Sequence, residues 1–141
     1  MALSTTLVTN EIKNAAGAEV EFRFKQNGPG ARCEFAQVSE SPAYPHRLSI
    51  AHQESGTGIN ATRRSVVRFD KTVASTVDAT KACTISAYAV VSIPKGALIA
   101  STEVSNVIAE LMSFLATQGG TTVLYDCTGT GADVLLNGII V

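Results

Sequence analysis

Residues 81–118, KACTISAYAVVSIPKGALIASTEVSNVIAELMSFLATQ, decide the fold. Up to Ile93-Pro94 the stretch alternates, with Ile85, Ala87, Ala89 and Val91 on one parity and Thr84, Ser86, Tyr88 and Val90 on the other. That is the period of a strand with two different faces. Proline removes a backbone donor and marks the stop. Past Lys95-Gly96 the period changes: Val104, Val107, Ile108, Leu111 and Leu115 recur at helical spacing, and Met112 and Phe114 widen the stripe. Ser101 or Thr102 is the expected N-cap, and Glu103 suits the positive end of the helix dipole. Gly119-Gly120 is the expected terminator. A strand, a proline break and one amphipathic helix therefore lie in direct succession.

The residues upstream read as sheet. Residues 3–12 suit a short strand, and Asn14-Ala15-Ala16-Gly17 carries turn chemistry. From Glu19, apolar Val20, Phe22 and Phe24 alternate strictly with charged residues, so the two segments predict a β-hairpin. Further strands are predicted over residues 31–38, 46–53 and 62–71. On the third strand Cys33 and Phe35 oppose Arg32, Glu34 and Ala36. On the fourth Leu48 and Ile50 oppose Arg47, Ser49, Ala51 and Gln53. On the fifth Ser65, Val67 and Phe69 oppose Arg64, Val66, Arg68 and Asp70. Residues 72–80 are small, polar and aperiodic, hence a loop. Gly129-Thr130-Gly131 reads as a break, and residues 132–141 suit either a second short helix or an apolar strand. The fold class is α+β, with antiparallel strands followed by helix. One helix cannot cover such a sheet, so a partner chain is expected to supply further cover.

Composition bounds the function. A chain of 141 residues suits one domain, and 45% hydrophobic residues suffice for a core. The formal net charge of −1 argues against a strongly basic nucleic-acid-binding domain, but leaves a locally basic face open. Residues 1–6 lack the basic and apolar regions of a secretory signal, so none is expected. No apolar run approaches the roughly 20 residues of a membrane helix, and the helix's polar face holds Glu103 and Glu110 with no Lys or Arg, so no membrane partner is expected. Cys33, Cys83 and Cys127 are odd in number and widely spaced, which favours reduced thiols, with Cys33 and Cys83 expected to be buried. His46 and His52 lack carboxylate or Cys at ligand spacing, so neither a metal nor a cofactor is expected. No nucleophile–base pair can be assembled, and the protein is expected not to be an enzyme.

Four stretches carry a family resemblance. They are Arg32-Cys33-Glu34-Phe35 with Ala43-Tyr44 and Arg47 after it; residues 62–73, ending Asp70-Lys71-Thr72-Val73, with the loop that follows; Ala89-Val90-Val91-Ser92-Ile93-Pro94; and the helix from Val104 to Leu115. In this order they resemble the levivirus-type coat proteins of single-stranded RNA bacteriophages over residues 31–118. The resemblance implies a single coat-protein domain over residues 1–141. Residues 1–30 would form an N-terminal hairpin, 31–94 a five-stranded antiparallel sheet, and 101–141 helices or a tail. It also implies an intertwined homodimer with one continuous sheet, in which Val104, Val107, Ile108, Leu111 and Leu115 serve the interface. Dimers would build an icosahedral shell around the RNA genome, assembled in the bacterial cytoplasm and found in the virion. The loop over residues 72–80 would cluster at the symmetry axes.

By the same resemblance the sheet face away from the helices meets RNA. Its candidate contacts are Arg47, Ser49 and Gln53, then Thr62, Arg64 and Arg68, then Ser86 and Tyr88. In some members this face also binds an RNA hairpin and represses translation. Guanidinium forks suit phosphates, hydroxyls suit phosphates or base edges, and a tyrosine ring can stack a base. The chain departs from the pattern at Ala51 and Val66, where a hairpin-reading surface wants polar groups. It departs again at Val90, where an acidic residue suits better-known members, and after Gly119, where no second helix is matched. Read from the residues alone, a dimeric β-rich binding module that builds no shell stays open beside the coat subunit.

Overall fold

A computed structural model describes residues 2–95, 98–119 and 122–139. The chain divides into two compact units. One comprises Met1–Ile12 and Glu19–Gly96, the other Lys13–Ala18 and Ala97–Val141.

The first unit is an antiparallel meander in strictly sequential order. Its strands are β1 (Thr6–Leu7), β2 (Phe22–Gly28), β3 (Ala31–Gln37), β4 (His46–Ser55), β5 (Thr62–Ala74) and β6 (Ala82–Pro94). The α+β class, the antiparallel sheet and the C-terminal helices are those expected. The hairpin is continuous with the sheet, and its first arm adds a two-residue sixth strand, Thr6 and Leu7 facing Arg23 and Phe22. The strand parities follow the hydrophobic alternation because a shift of one residue would turn Phe22, Phe35 and Leu48 to the other face. Those three and Leu7 form the buried core, with Ile12, Val20, Cys33, Ile50 and Phe69 packed against them. Phe22 has no exposed surface. Its ring meets His46 edge-on at 5.0 Å and Phe69 at 5.8 Å. Phe24 is 39% exposed, and the register shifts between it and Gln26, so the alternation from Glu19 breaks at a bulge.

The core thins toward the β5–β6 side of the same face, where Val67 is 41% and Ile85 61% exposed. The β5–β6 loop is shorter than expected, because β5 continues to Ala74. The turn over residues 75–81 is closed by Ser75 N–H donating to the Lys81 carbonyl (2.9 Å). Cys83 is exposed on β6 and not buried, since the rim of the sheet there carries no covering element of its own unit. Cys33 is half-buried and Cys127 exposed, and all three are free thiols.

In the second unit α1 (Ser101–Ala116) leads through β7 (Thr117–Gly119) and β8 (Thr122–Val123) to α2 (Thr130–Leu136). The cap differs from expectation. Ala100 takes the extended N-cap position with no side-chain hydrogen bond, and Ser101 is already helical. Glu103 lies in the first turn as expected. The helix stops before the glycines: Thr117 turns extended, its N–H donates to the Phe114 carbonyl, and the chain enters β7. Gly119 lies in β7, and Gly120 is outside the described residues. Residues 130–136 form a second helix, which answers the question left open for the tail, up to Ile139. Gly129-Thr130-Gly131 is its N-terminus and not a break, because Gly131 packs directly on α1. A Cβ at Gly131 would overlap the carbonyl oxygen of Phe114. The turn over Lys13–Ala18 is an Asx turn, with Asn14 Oδ1 accepting from the N–H groups of Ala16 and Ala18 (3.0 Å each).

Candidate nucleic-acid interface

Partners in an antiparallel ladder share a face, so the register assigns every side chain of the sheet. Arg47 faces Asp70, and Asp70 faces Ser86. Ser49 faces Arg68, and Arg68 faces Tyr88. Gln53 faces Arg64, and Ser55 faces Thr62. All eight predicted contacts therefore lie on one face, the one opposite Leu48, Phe69 and Ala87. Between them runs a half-buried apolar row, Ala51–Val66–Val90. Tyr88 is 65% exposed, and the Arg68 guanidinium lies 5.8 Å from its ring centroid.

The ladder adds two arginines that the sequence reading left out of the site. Arg23 faces Ala36, which faces Arg47, and Arg32 faces Ala51. Five of the six arginines thus share this face, Arg63 being the exception. The alternation of β2 and β3 already held that information, but the resemblance assigned site residues only from the fourth strand onward.

The arginines are not equivalent. Arg47 is clamped by two carboxylates, Nη1 to Glu34 Oε1 at 2.7 Å and Nη2 to Glu40 Oε1 at 2.8 Å, and its Nε donates to Glu40 Oε2 (2.9 Å). Glu40 also accepts the His46 N–H (2.9 Å), which fastens the β3–β4 connection to β4. Burial pushes the Glu40 carboxyl up, but Arg47 and the His46 N–H outweigh it and hold the pKa below the ordinary value. The Glu40 hydrogen bond likewise holds Arg47 protonated. Arg68 Nε donates to both oxygens of Asp70 (2.9 Å each), and its Nη2 reaches Ser86 Oγ at 3.2 Å. Ser86 Oγ donates to Asp70 in turn. Burial raises the Asp70 carboxyl, the Ser86 hydroxyl and Arg68 lower it more strongly, and Arg32 adds a weaker downward pull. Arg23, Arg32 and Arg64 are exposed and make no ion pair among the described residues.

The five helix residues predicted for a dimer interface divide. Val104, Ile108 and Leu115 are half-buried, whereas Val107 is 62% and Leu111 42% exposed, next to Met112 at 60% and Phe114 at 51%. No described helix is long and apolar enough to cross a membrane. Among the described residues no three His, Cys, Asp or Glu side chains converge as a metal site.

No family model matches the sequence, and no curated protein matches it. Solved structures do. The coat protein of bacteriophage EMS014 aligns with a TM-score of 0.73 at 12% identity, over 99% of this chain and 99% of that one. The virus-like particle of Beihai levi-like virus 21 aligns at 0.66 and 15% identity, over 99% and 98%. That of Beihai levi-like virus 32 aligns at 0.65 and 16% identity, over 86% and 88%. Strand order, the C-terminal helices and near-complete coverage agree: this chain has the fold of the levi-like phage coat proteins.

Proposed function

We propose that the protein is the coat subunit of a small RNA phage. Its 141 residues would act as one capsid domain that dimerises, closes into an icosahedral shell and packages single-stranded RNA. The observation that carries this reading is the segregation of charge on a coat-protein fold. Five arginines stand on the sheet face opposite the core, against two ladder carboxylates on that face, Glu34 and Asp70. All eleven Lys and Arg lie at or before Lys95, while Glu103, Glu110, Asp126 and Asp133 are the only charged residues after it. A subunit of net charge −1 can thereby present a cationic surface to a polyanion. Binding is chiefly to phosphates, weak per subunit and summed over many copies.

Dimerisation has its own support. β6 is an edge strand of thirteen residues without a charged side chain. Monomeric proteins protect such edges with charge, proline or bulges; β6 has proline only at its last position, Pro94, and an edge left open along its length is a template for another strand. Pairing β6 with its symmetry copy continues the sheet across two subunits. The bare core-side surface at Val67 and Ile85 is then a seat for the partner's α1, through Val107 and Leu111. The role is structural and its location is the virion, as for the particles named above.

The test is expression of the protein alone in bacteria, followed by size-exclusion chromatography, electron microscopy and absorbance at 260 and 280 nm. Closed particles carrying nucleic acid are expected. A small, nucleic-acid-free dimer under all assembly conditions would point to the non-assembling binding module.

A further inference from the structure

The proposed function leaves open which cations hold RNA, and the ion pairs of the sheet divide them into two sets. A guanidinium already paired with a carboxylate, as Arg68 is with Asp70, or with two, as Arg47 is, offers a phosphate little net charge. A free one retains its full charge and its planar fork. We propose that the phosphate-binding cations of this face are Arg23, Arg32 and Arg64, and that Arg47 and Arg68 are positioning residues neutralised by Glu34, Glu40 and Asp70. The RNA track then crosses from β5 to the N-terminal strands β3 and β2, beyond the β4–β6 area that the sequence reading marked out. This inference rests on the RNA-packaging reading above.

The register supplies the spacing. Arg32 lies two strands from Arg64 and one ladder step from it along the sheet; Arg23 lies one strand from Arg32 and two steps away. Strand spacing of about 4.8 Å and a rise of about 3.4 Å per residue put Arg32 and Arg64 about 12 Å apart at Cα, and Arg23 and Arg32 about 14 Å apart. The long side chains shorten those gaps, and a flexible single strand can bridge them. Between Arg32 and Arg64 lie Ala51 and Val66, which offer no side-chain donor or acceptor; between Arg32 and Arg23 lies Glu34, which Arg47 holds. Base edges over Ala51 and Val66 meet methyl groups, so that part of the track holds phosphates without reading sequence.

Salt dependence separates this assignment from a merely structural role. For single strands, log K against log salt concentration falls with a slope of about 0.7 per phosphate neutralised. The measurement is the affinity of dissociated subunits for a fluorescent oligouridylate at several salt concentrations, with folding checked by circular dichroism. Arg23→Ala, Arg32→Ala and Arg64→Ala should each flatten the slope by about 0.7. Arg47→Ala should leave it unchanged. Asp70→Asn should steepen it by about 0.7, because it frees Arg68, and it keeps the proposal testable should Arg47→Ala fail to fold. Unchanged slopes in the Arg23, Arg32 and Arg64 variants, or a flatter slope in Arg47→Ala, would overturn the assignment while leaving RNA packaging intact. Wild-type subunits that bind no oligouridylate even at the lowest salt concentration would overturn the assignment, and assembled particles that carry no nucleic acid would overturn both.

Discussion

Arg47 shows how a residue type underdetermines its role. Its guanidinium and both carboxylates are only 17–25% exposed, so the cluster is half-buried and its hydrogen bonds are charge-assisted. Removing the arginine leaves Glu34 and Glu40 without their partner. Arg47→Ala should therefore cost about 1–3 kcal/mol, seen as a lower denaturant midpoint. His46, one residue before, carries a pH dependence. Burial against Phe22 lowers its pKa, Lys71 across the ladder lowers it further, and Glu40 partly opposes them. Its Nδ1 lies 3.0 Å from Gln37 Oε1. Below about pH 6.5 the unfolded chain takes up the proton more readily than the folded one. Stability should then fall as pH drops from that value through the lowered folded-state pKa. Thermal midpoints at pH 8 and 5.5 should differ for the wild type and differ less for His46→Gln.

At the scale of elements, legibility followed periodicity. The parities of β3 to β6 were readable because one apolar face is buried and alternation is strict, which placed all eight candidate contacts together. The bulge beside Lys25 was not readable, since one extra residue looks like continued alternation. Nor were the arginine clamps, because Glu34 and Arg47 are thirteen residues apart and only the pairing of β3 with β4 brings them together. Gly131 misled for a related reason. Glycine signals a break from local propensity, whereas here it permits α2 to approach the backbone of α1. Gly131→Ala should cost about 3 kcal/mol and separate the two helices, measured by chemical denaturation. At β6, Ala89→Lys sets like charges near one another if the strand pairs with its own copy around its middle. The expected result is a smaller oligomer by light scattering.

For the molecule as a whole, two surfaces stand exposed: a sheet face that carries five arginines, and apolar patches on α1 and at the β5–β6 end of the core face. Leu111→Asp should abolish the soluble dimer by size-exclusion chromatography with light scattering. A dimer that survives would remove α1 from the interface and leave the β6 edge to explain association. The charge distribution that supports the function also has a consequence at the bench. No trypsin site follows Lys95. That residue is itself pinned, its Nζ to Glu54 at 2.7 Å and its N–H to the Ala61 carbonyl at 2.7 Å. Lys81, by contrast, stands 77% exposed at the end of the β5–β6 loop. Limited proteolysis should nick the native protein at Lys81 well before Lys95. Complete digestion should release residues 96–141 as one uncut peptide that reports on both C-terminal helices in a single mass.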